Sequence, residues 1–307
     1  MLHLHRPDWL YTTNSEPRGY IQPEGLLELW FHTGTNCNLR CPFCLEGSKP
    51  GDERIEFITS RDVLPFVEEA LDLGVKKFSF TGGEPFVNPD MAAILDLALD
   101  HRPCLVLSNG TEPLMNRLHE VLPLIDKPHA LSFRISLDQP DQEAHDQLRG
   151  RGNFRKALTT LGRLHESGFE VSIARLMQNG EDTEAVNLRY RPYFQSVGVP
   201  EDMTIVAFPN FYGPEAEPRV PQVTEQCMTQ YLSADQRSAF MCNFSKMVVK
   251  KNGRVGVYAC TLVDDDTDYH LGDTLKQSMD VRVMLKHHRC YSCFAYGASC
   301  SEGVQSK

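Results

Sequence analysis

Short apolar runs alternate with amphipathic stretches through most of the chain. Leu26-Leu27-Glu28-Leu29-Trp30-Phe31 is nearly continuous in apolar character, the pattern of a strand covered on both faces. Comparable runs predict strands over 27–33, 77–81, 104–108, 131–137, 170–176 and 203–208. Between them apolar residues recur at helical spacing, which predicts helices over 60–73, 89–100, 112–123, 153–167 and 183–196. Strand and helix in alternation specify an α/β fold with a parallel sheet. Its chemistry is expected in the loops at the carboxyl ends of the strands.

The pattern fails at both ends. Residues 1–25 carry Pro7, Pro17, Gly19, Pro23 and Gly25 without periodicity, so an extended lead-in lying over the fold is expected. The alternating region is assigned 26–213, and a proline-interrupted stretch at 214–240 reads as a linker. Residues 241–307 form a second unit. There Asn252-Gly253 stands between two β-rich runs, a strong hairpin signal, and a helix over roughly Leu275 to His287 leads to Cys290-Tyr291-Ser292-Cys293.

Composition narrows the function classes. With 41% hydrophobic and 23% charged residues the chain is ordinary globular protein, and a net charge of -10 argues against a general nucleic-acid binder. No run approaches the length of a membrane span, and the amino terminus lacks a basic segment followed by an apolar one, so a cytoplasmic location away from membranes is expected. Ten cysteines then point to metal or redox chemistry rather than disulfides. Three lie near the start, six follow position 226, and Cys104, at the start of a strand, reads as packing.

Cys37, Cys41 and Cys44 follow the first strand at C-x3-C-x2-C spacing. Three close thiolates can hold three irons of a cubane cluster and leave the fourth open, whereas structural zinc usually takes paired C-x2-C knuckles. After the second strand comes Thr81-Gly82-Gly83-Glu84-Pro85, where glycines permit close backbone approach and a carboxylate can accept from an ammonium. The third strand ends in Ser108-Asn109-Gly110-Thr111, a ligand contact or simply a helix-starting turn. Ser136 and Asp138 are two apart and share one strand face. Asp141, Glu143, His145 and Asp146 read as solvated loop. Arg175, at a strand's carboxyl end, is either a carboxylate clamp or one half of an ion pair. Asn210 and Tyr212 follow the sixth strand and would line a substrate pocket or pack.

In this order the motifs resemble those of the radical S-adenosylmethionine (SAM) superfamily. The resemblance implies a partial (β/α)6 barrel in which Cys37, Cys41 and Cys44 bind a [4Fe-4S] cluster. The open iron would chelate SAM. An electron from a carrier such as flavodoxin or ferredoxin would cleave SAM to methionine and a deoxyadenosyl radical. By the same resemblance Phe43 lies near the adenine, and Gly82, Gly83, Glu84 and Pro85 hold the amino group. Ser136 and Asp138 lie near the ribose and substrate, Ser108 and Asn109 match a Ser/Thr-Asn-Gly turn of many family members that contacts the bound cofactor, and Arg149 matches an arginine found before the next helix in related enzymes.

The C-terminal order of cysteine, hairpin, cysteine, helix and C-x2-C resembles the Twitch domain, the shorter relative of the SPASM extension, and especially its form in the aminocyclitol dehydrogenase of butirosin biosynthesis. It implies an auxiliary [4Fe-4S] cluster on Cys242, Cys260, Cys290 and Cys293. Zinc is the alternative for these four, and Cys300 could replace one ligand. Cys227 or Cys300 is either a hydrogen-atom donor or a packed thiol. The expected function is oxidation or epimerisation of a small hydroxylated molecule such as a sugar, aminocyclitol or aminoglycoside. A peptide-modifying maturase is the first alternative, and a non-catalytic iron-sulfur carrier or sensor the second.

Overall fold

The computed structural model describes residues 6–178, 180–209, 211–213 and 216–297. Its strands are β1 (Tyr20–Ile21), β2 (Glu28–His32), β3 (Lys77–Thr81), β4 (Cys104–Ser108), β5 (Leu131–Ser136), β6 (Glu170–Met177), β7 (Ile205–Pro209), β8 (Ser245–Lys251), β9 (Arg254–Tyr258), β10 (His270–Gly272) and β11 (Val283–Met284). From β2 to β7 the strands lie side by side in chain order and pair in parallel. This is the expected α/β arrangement. All five residues of β2 are buried, because helices cover one face of the sheet and the second apolar cluster the other.

Helix Ser60–Asp72 shows how local sequence fixes these elements. Thr59 and Asp62 close a capping box at its start, and Val63, Phe66, Val67 and Ala70 form its buried stripe. The Asp62 carboxylate also takes the Lys250 ammonium at 2.7 Å from β8. Glu69, on the exposed side, accepts the backbone N–H groups of Leu275 and Lys276, both at 2.8 Å. One helix therefore ties the carboxyl-terminal segment to the sheet.

The Asn252-Gly253 hairpin forms as expected, with β8 antiparallel to β9 and Asn252 at φ 52°. It is also part of the main sheet. β8 pairs in parallel with β2, Glu28 opposite Ser245, so the sheet runs β10-β9-β8-β2 through β7.

Several expectations need correction. The helix expected over 275–287 ends at Met279; Val283–Met284 then forms β11, and a further helix spans His288–Tyr296. The β-branched residues Val281 and Val283 favour the extended backbone that interrupts it. The lead-in is not uniformly extended. Pro7–Leu10 is a helical turn whose Trp9 packs edge-on against Tyr269 at 5.0 Å, and β1 pairs with β11. The segment after Asp138 is helix Gln142–Arg149, capped by Asp141, with His145 fully buried rather than solvated. Two expected helices are each split: 112–123 becomes Glu112–Asn116 and Leu118–Val121, and 183–196 becomes Thr183–Leu188 and Arg191–Ser196, with Pro192 at the start of the second piece. Within 214–240, Glu225–Gln230 and Ala234–Ser238 are helical, and Thr224 bridges to Arg18.

Candidate active site

A cavity opens at the carboxyl end of the parallel sheet. Cys37, Cys41 and Cys44 line it together with Phe43, Gly82, Gly83, Ser108, Asn109, Ser136, Asp138, Arg149 and Arg175. Residues from six separate chain segments thus converge as the motif order anticipates. Burial pushes the Cys37 thiol up to about 12 and raises Cys41 and Cys44 as well. Such thiols become thiolates when cations sit among them.

Two turns brace the cysteine loop. The Gly83 N–H donates to the Gly34 carbonyl at 2.8 Å and the Glu84 N–H to the Asn36 carbonyl at 3.1 Å. A Cβ on Gly83 would stand 2.5 Å from the carbonyl oxygens of Thr35 and Asn36, and one on Gly82, at φ +152°, 2.7 Å from Thr33. Only glycine fits here. From the other side, Asn109 Nδ2 donates to Asn38 Oδ1 at 2.9 Å and faces Cys37 Sγ at 3.9 Å, while Asn38 Nδ2 donates to the Thr111 hydroxyl at 2.9 Å. The Asn109 side chain also accepts from the Thr111 N–H at 3.0 Å, the turn role foreseen for it.

Glu84 is 1% exposed, and its carboxylate accepts from the Ser108 hydroxyl at 2.9 Å and the backbone N–H groups of Asn109 and Phe86 at 2.8 and 3.2 Å. Burial nevertheless pushes its carboxyl up to about 7, the donors opposing. A buried carboxylate with donors already in place and, among the described residues, no cationic side chain hydrogen-bonded to it suits an incoming ammonium. Pro85 begins the 3-10 turn that follows. Asp138, 3% exposed, forms an ion pair with Arg149, whose guanidinium stands 5.4 Å over the Phe43 ring.

Arg175 is buried. Its guanidinium donates to Glu181 at 2.5 Å, Asn187 at 2.8 Å and the Leu176 carbonyl at 3.2 Å, so its donors serve an ion pair at the cavity wall. Tyr212 is exposed, whereas Asn210 and Cys300 lie outside the described residues. Cys227 lies in the first turn of helix Glu225–Gln230 and packs on the second apolar cluster, with the Thr224 hydroxyl 3.1 Å from its sulfur. Cys104 is a buried core residue, as expected.

The C-terminal thiols gather behind this cavity. Cys242 lies in the turn before β8, Cys260 just after β9, and Cys290 and Cys293 one turn apart on helix His288–Tyr296. Burial is the main cause raising Cys260, and the neighbouring thiols of Cys242, Cys290 and Cys293 add to it. Buried Lys246 donates to the carbonyls of Cys242 and Ser245, both at 3.0 Å, and the Tyr269 hydroxyl lies 3.5 Å from Cys290 Sγ. Three buried thiols and the half-buried Cys293 brought together fit a metal or cluster better than they fit an apolar core.

Some contributors were missed in the sequence. His32, at the end of β2, accepts from the Gly34 N–H through Nδ1 at 3.1 Å, which leaves its Nε2 facing Glu46 at 3.5 Å and Asp264 at 3.8 Å. Glu46 lines the cavity, so this buried histidine orients a carboxylate at its wall. Burial raises the Asp264 carboxyl well above the usual range. Asp264 belongs to the run Asp264-Asp265-Asp266, and only tertiary structure buries it.

The sequence matches the family described as the Radical SAM superfamily over residues 31–188. Among curated proteins it is similar to the antilisterial bacteriocin subtilosin biosynthesis protein AlbA of Bacillus subtilis, 33% identical over 151 residues, covering 48% of this chain and 32% of that protein. It is also similar to the GTP 3',8-cyclase of Haemophilus influenzae, 27% identical over 154 residues, covering 48% of this chain and 44% of the cyclase. The chain thus matches less than half the length of either relative. Among solved structures, Streptococcus suis SuiB bound to precursor peptide SuiA superposes with a TM-score of 0.60 at 13% identity, over 84% of this chain and 64% of SuiB. At that identity the likeness is one of fold. In the described residues no helix is long and apolar enough to cross a membrane.

Proposed function

The chain belongs to the radical SAM superfamily, and within it we propose that it is a peptide-modifying enzyme that abstracts a hydrogen atom from its substrate. When bound, the [4Fe-4S] cluster and SAM supply, on one-electron reduction, the carbon radical that makes this abstraction possible. Cys37, Cys41 and Cys44 would hold the cluster. Glu84, with Gly82 and Gly83, would receive the SAM amino group, and Phe43 would flank the adenine. Ser136 and the Asp138–Arg149 pair would face the ribose and substrate, Arg149 held in place by Asp138. Cys242, Cys260, Cys290 and Cys293 would hold an auxiliary cluster able to accept an electron from the substrate radical.

The observation that carries the peptide reading is the similarity to a bacteriocin biosynthesis protein, at 33% identity over 151 residues. This replaces a sugar or aminocyclitol as the preferred substrate class. The chemistry of the cavity wall is compatible with either, since hydroxyl, carboxylate and guanidinium groups all face it. Incubation under reductant with SAM and a candidate precursor peptide should raise deoxyadenosine formation at least tenfold over SAM alone, with a mass change in the peptide. Equal stimulation by aminocyclitols, with the peptide unmodified, would overturn the peptide assignment.

A further inference from the structure

The cysteine loop is a thin wall with two sides. Cys37, Cys41 and Cys44 face the cavity. Asn38, Arg40 and Pro42, which alternate with two of these thiols, line a separate open basin on the outer surface. The far rim of that basin is built by the end of helix Gln142–Arg149, its following turn and helix Asn153–Glu166, which contribute Gln147, Arg151 and Lys156.

The charge of this basin opposes that of the molecule. The chain carries a net charge of -10, yet the basin is lined by Arg40, Arg149, Arg151 and Lys156 against the single carboxylate of Glu112. Lys156 is held by Glu112, and Arg149 turns inward to Asp138. Arg40 and Arg151 are exposed and, among the described residues, have no carboxylate within ion-pair reach. A cationic rim on an acidic protein directs an acidic partner to one place, because the remaining surface repels it. That place lies against the backbone of the loop carrying Cys41.

We infer that this basin is the docking surface for an acidic one-electron carrier protein, with Arg40 and Arg151 as its main cationic contacts. The inference rests on the proposed cluster at Cys37, Cys41 and Cys44. A carrier docked here would pass one electron across the loop to the cluster that Cys37, Cys41 and Cys44 would hold, and would itself leave oxidised by one electron. No proton or group moves. The basin suits a small, polar, transient contact of the kind electron-transfer partners make.

The test uses the anaerobically reconstituted full chain, with an acidic flavodoxin as the probe. Binding of oxidised flavodoxin is measured by titration, and deoxyadenosine formation is followed with either reduced flavodoxin or dithionite as electron source. In the Arg40→Glu/Arg151→Glu variant, flavodoxin affinity and flavodoxin-driven turnover should each fall about tenfold or more at low salt, while dithionite-driven turnover stays within about twofold. Arg40→Lys/Arg151→Lys should keep most of both. Raising salt from about 50 to about 200 mM should reproduce the loss in the wild type. Unchanged flavodoxin binding in the charge-reversed variant would overturn the assignment. So would an equal loss with dithionite, which would place the effect inside the loop. A wild type that binds flavodoxin in the predicted way but cleaves no SAM with dithionite would instead refute the proposed chemistry and, with it, the carrier's role here.

Discussion

Glu84→Gln should weaken SAM binding by about two orders of magnitude, roughly what a charge-assisted hydrogen bond to a buried ammonium contributes. The substitution preserves shape and removes the charge. It also turns an amide NH2 toward donors, since Ser108 and the Asn109 and Phe86 N–H groups already point at this carboxylate. The wild type adds a pH signature. In the folded protein the Glu84 carboxyl is raised from 4.5 to about 7 by burial, so between those values the native state holds a proton that the unfolded chain has released. Its contribution to stability is therefore complete below about 4.5 and is lost as pH rises through about 7. An ammonium ligand favours the ionised form. SAM affinity should thus fall by up to about tenfold per pH unit below about 7 in the wild type and stay flat in Glu84→Gln. Isothermal titration from about pH 8 to about pH 5.5 measures both effects. A parallel pH profile in the variant would remove Glu84 from the SAM site.

Arg289→Ala should cost about 3 kcal/mol of stability and lower Tm by roughly 6 °C. Arg289 is 1% exposed and sits one residue before Cys290. Its guanidinium donates to the carbonyls of Leu45 at 2.9 Å, Leu262 at 2.8 Å and Tyr212 at 3.2 Å. Those carbonyls belong to the loop after Cys44, the loop after Cys260 and the segment after β7. A single side chain therefore joins both cysteine-bearing regions to the far end of the sheet. Removing it strands three acceptors and frees the loops to move apart. Arg289→Lys, which keeps the charge but cannot reach all three carbonyls, should recover less than half of the loss. Thermal unfolding of apo-protein, where no cluster masks the effect, is the direct measurement, and a Tm within about 1 °C of wild type would refute this role.

Most of the sheet was legible because its strands are buried on both faces and read as continuous apolar runs. The bounds of β3 and β4 match the expected ones. The motifs were legible for a related reason: cysteine spacing and paired glycines are local constraints. What stayed hidden depends on contacts between distant segments. Nothing in Arg289 itself announces three carbonyls in three loops. The pairing of β8 with β2 joins residues more than two hundred positions apart, and the hairpin signal at Asn252-Gly253 cannot tell whether the hairpin stands alone or extends a sheet. Helix Gln142–Arg149 was partly readable, since Asp141 is a good cap. Its charged residues outweighed the one buried position, His145, in a reading by composition.

The two-site account meets its most direct test in iron and sulfide content after anaerobic reconstitution, compared between the wild type and Cys37→Ala/Cys41→Ala/Cys44→Ala. Two [4Fe-4S] sites predict about eight irons per chain falling to about four, with the remainder lost when Cys242, Cys260, Cys290 and Cys293 are also replaced. About four irons falling to none, with one zinc retained by the second set, would contradict the auxiliary cluster and remove the electron acceptor on which an oxidative outcome depends.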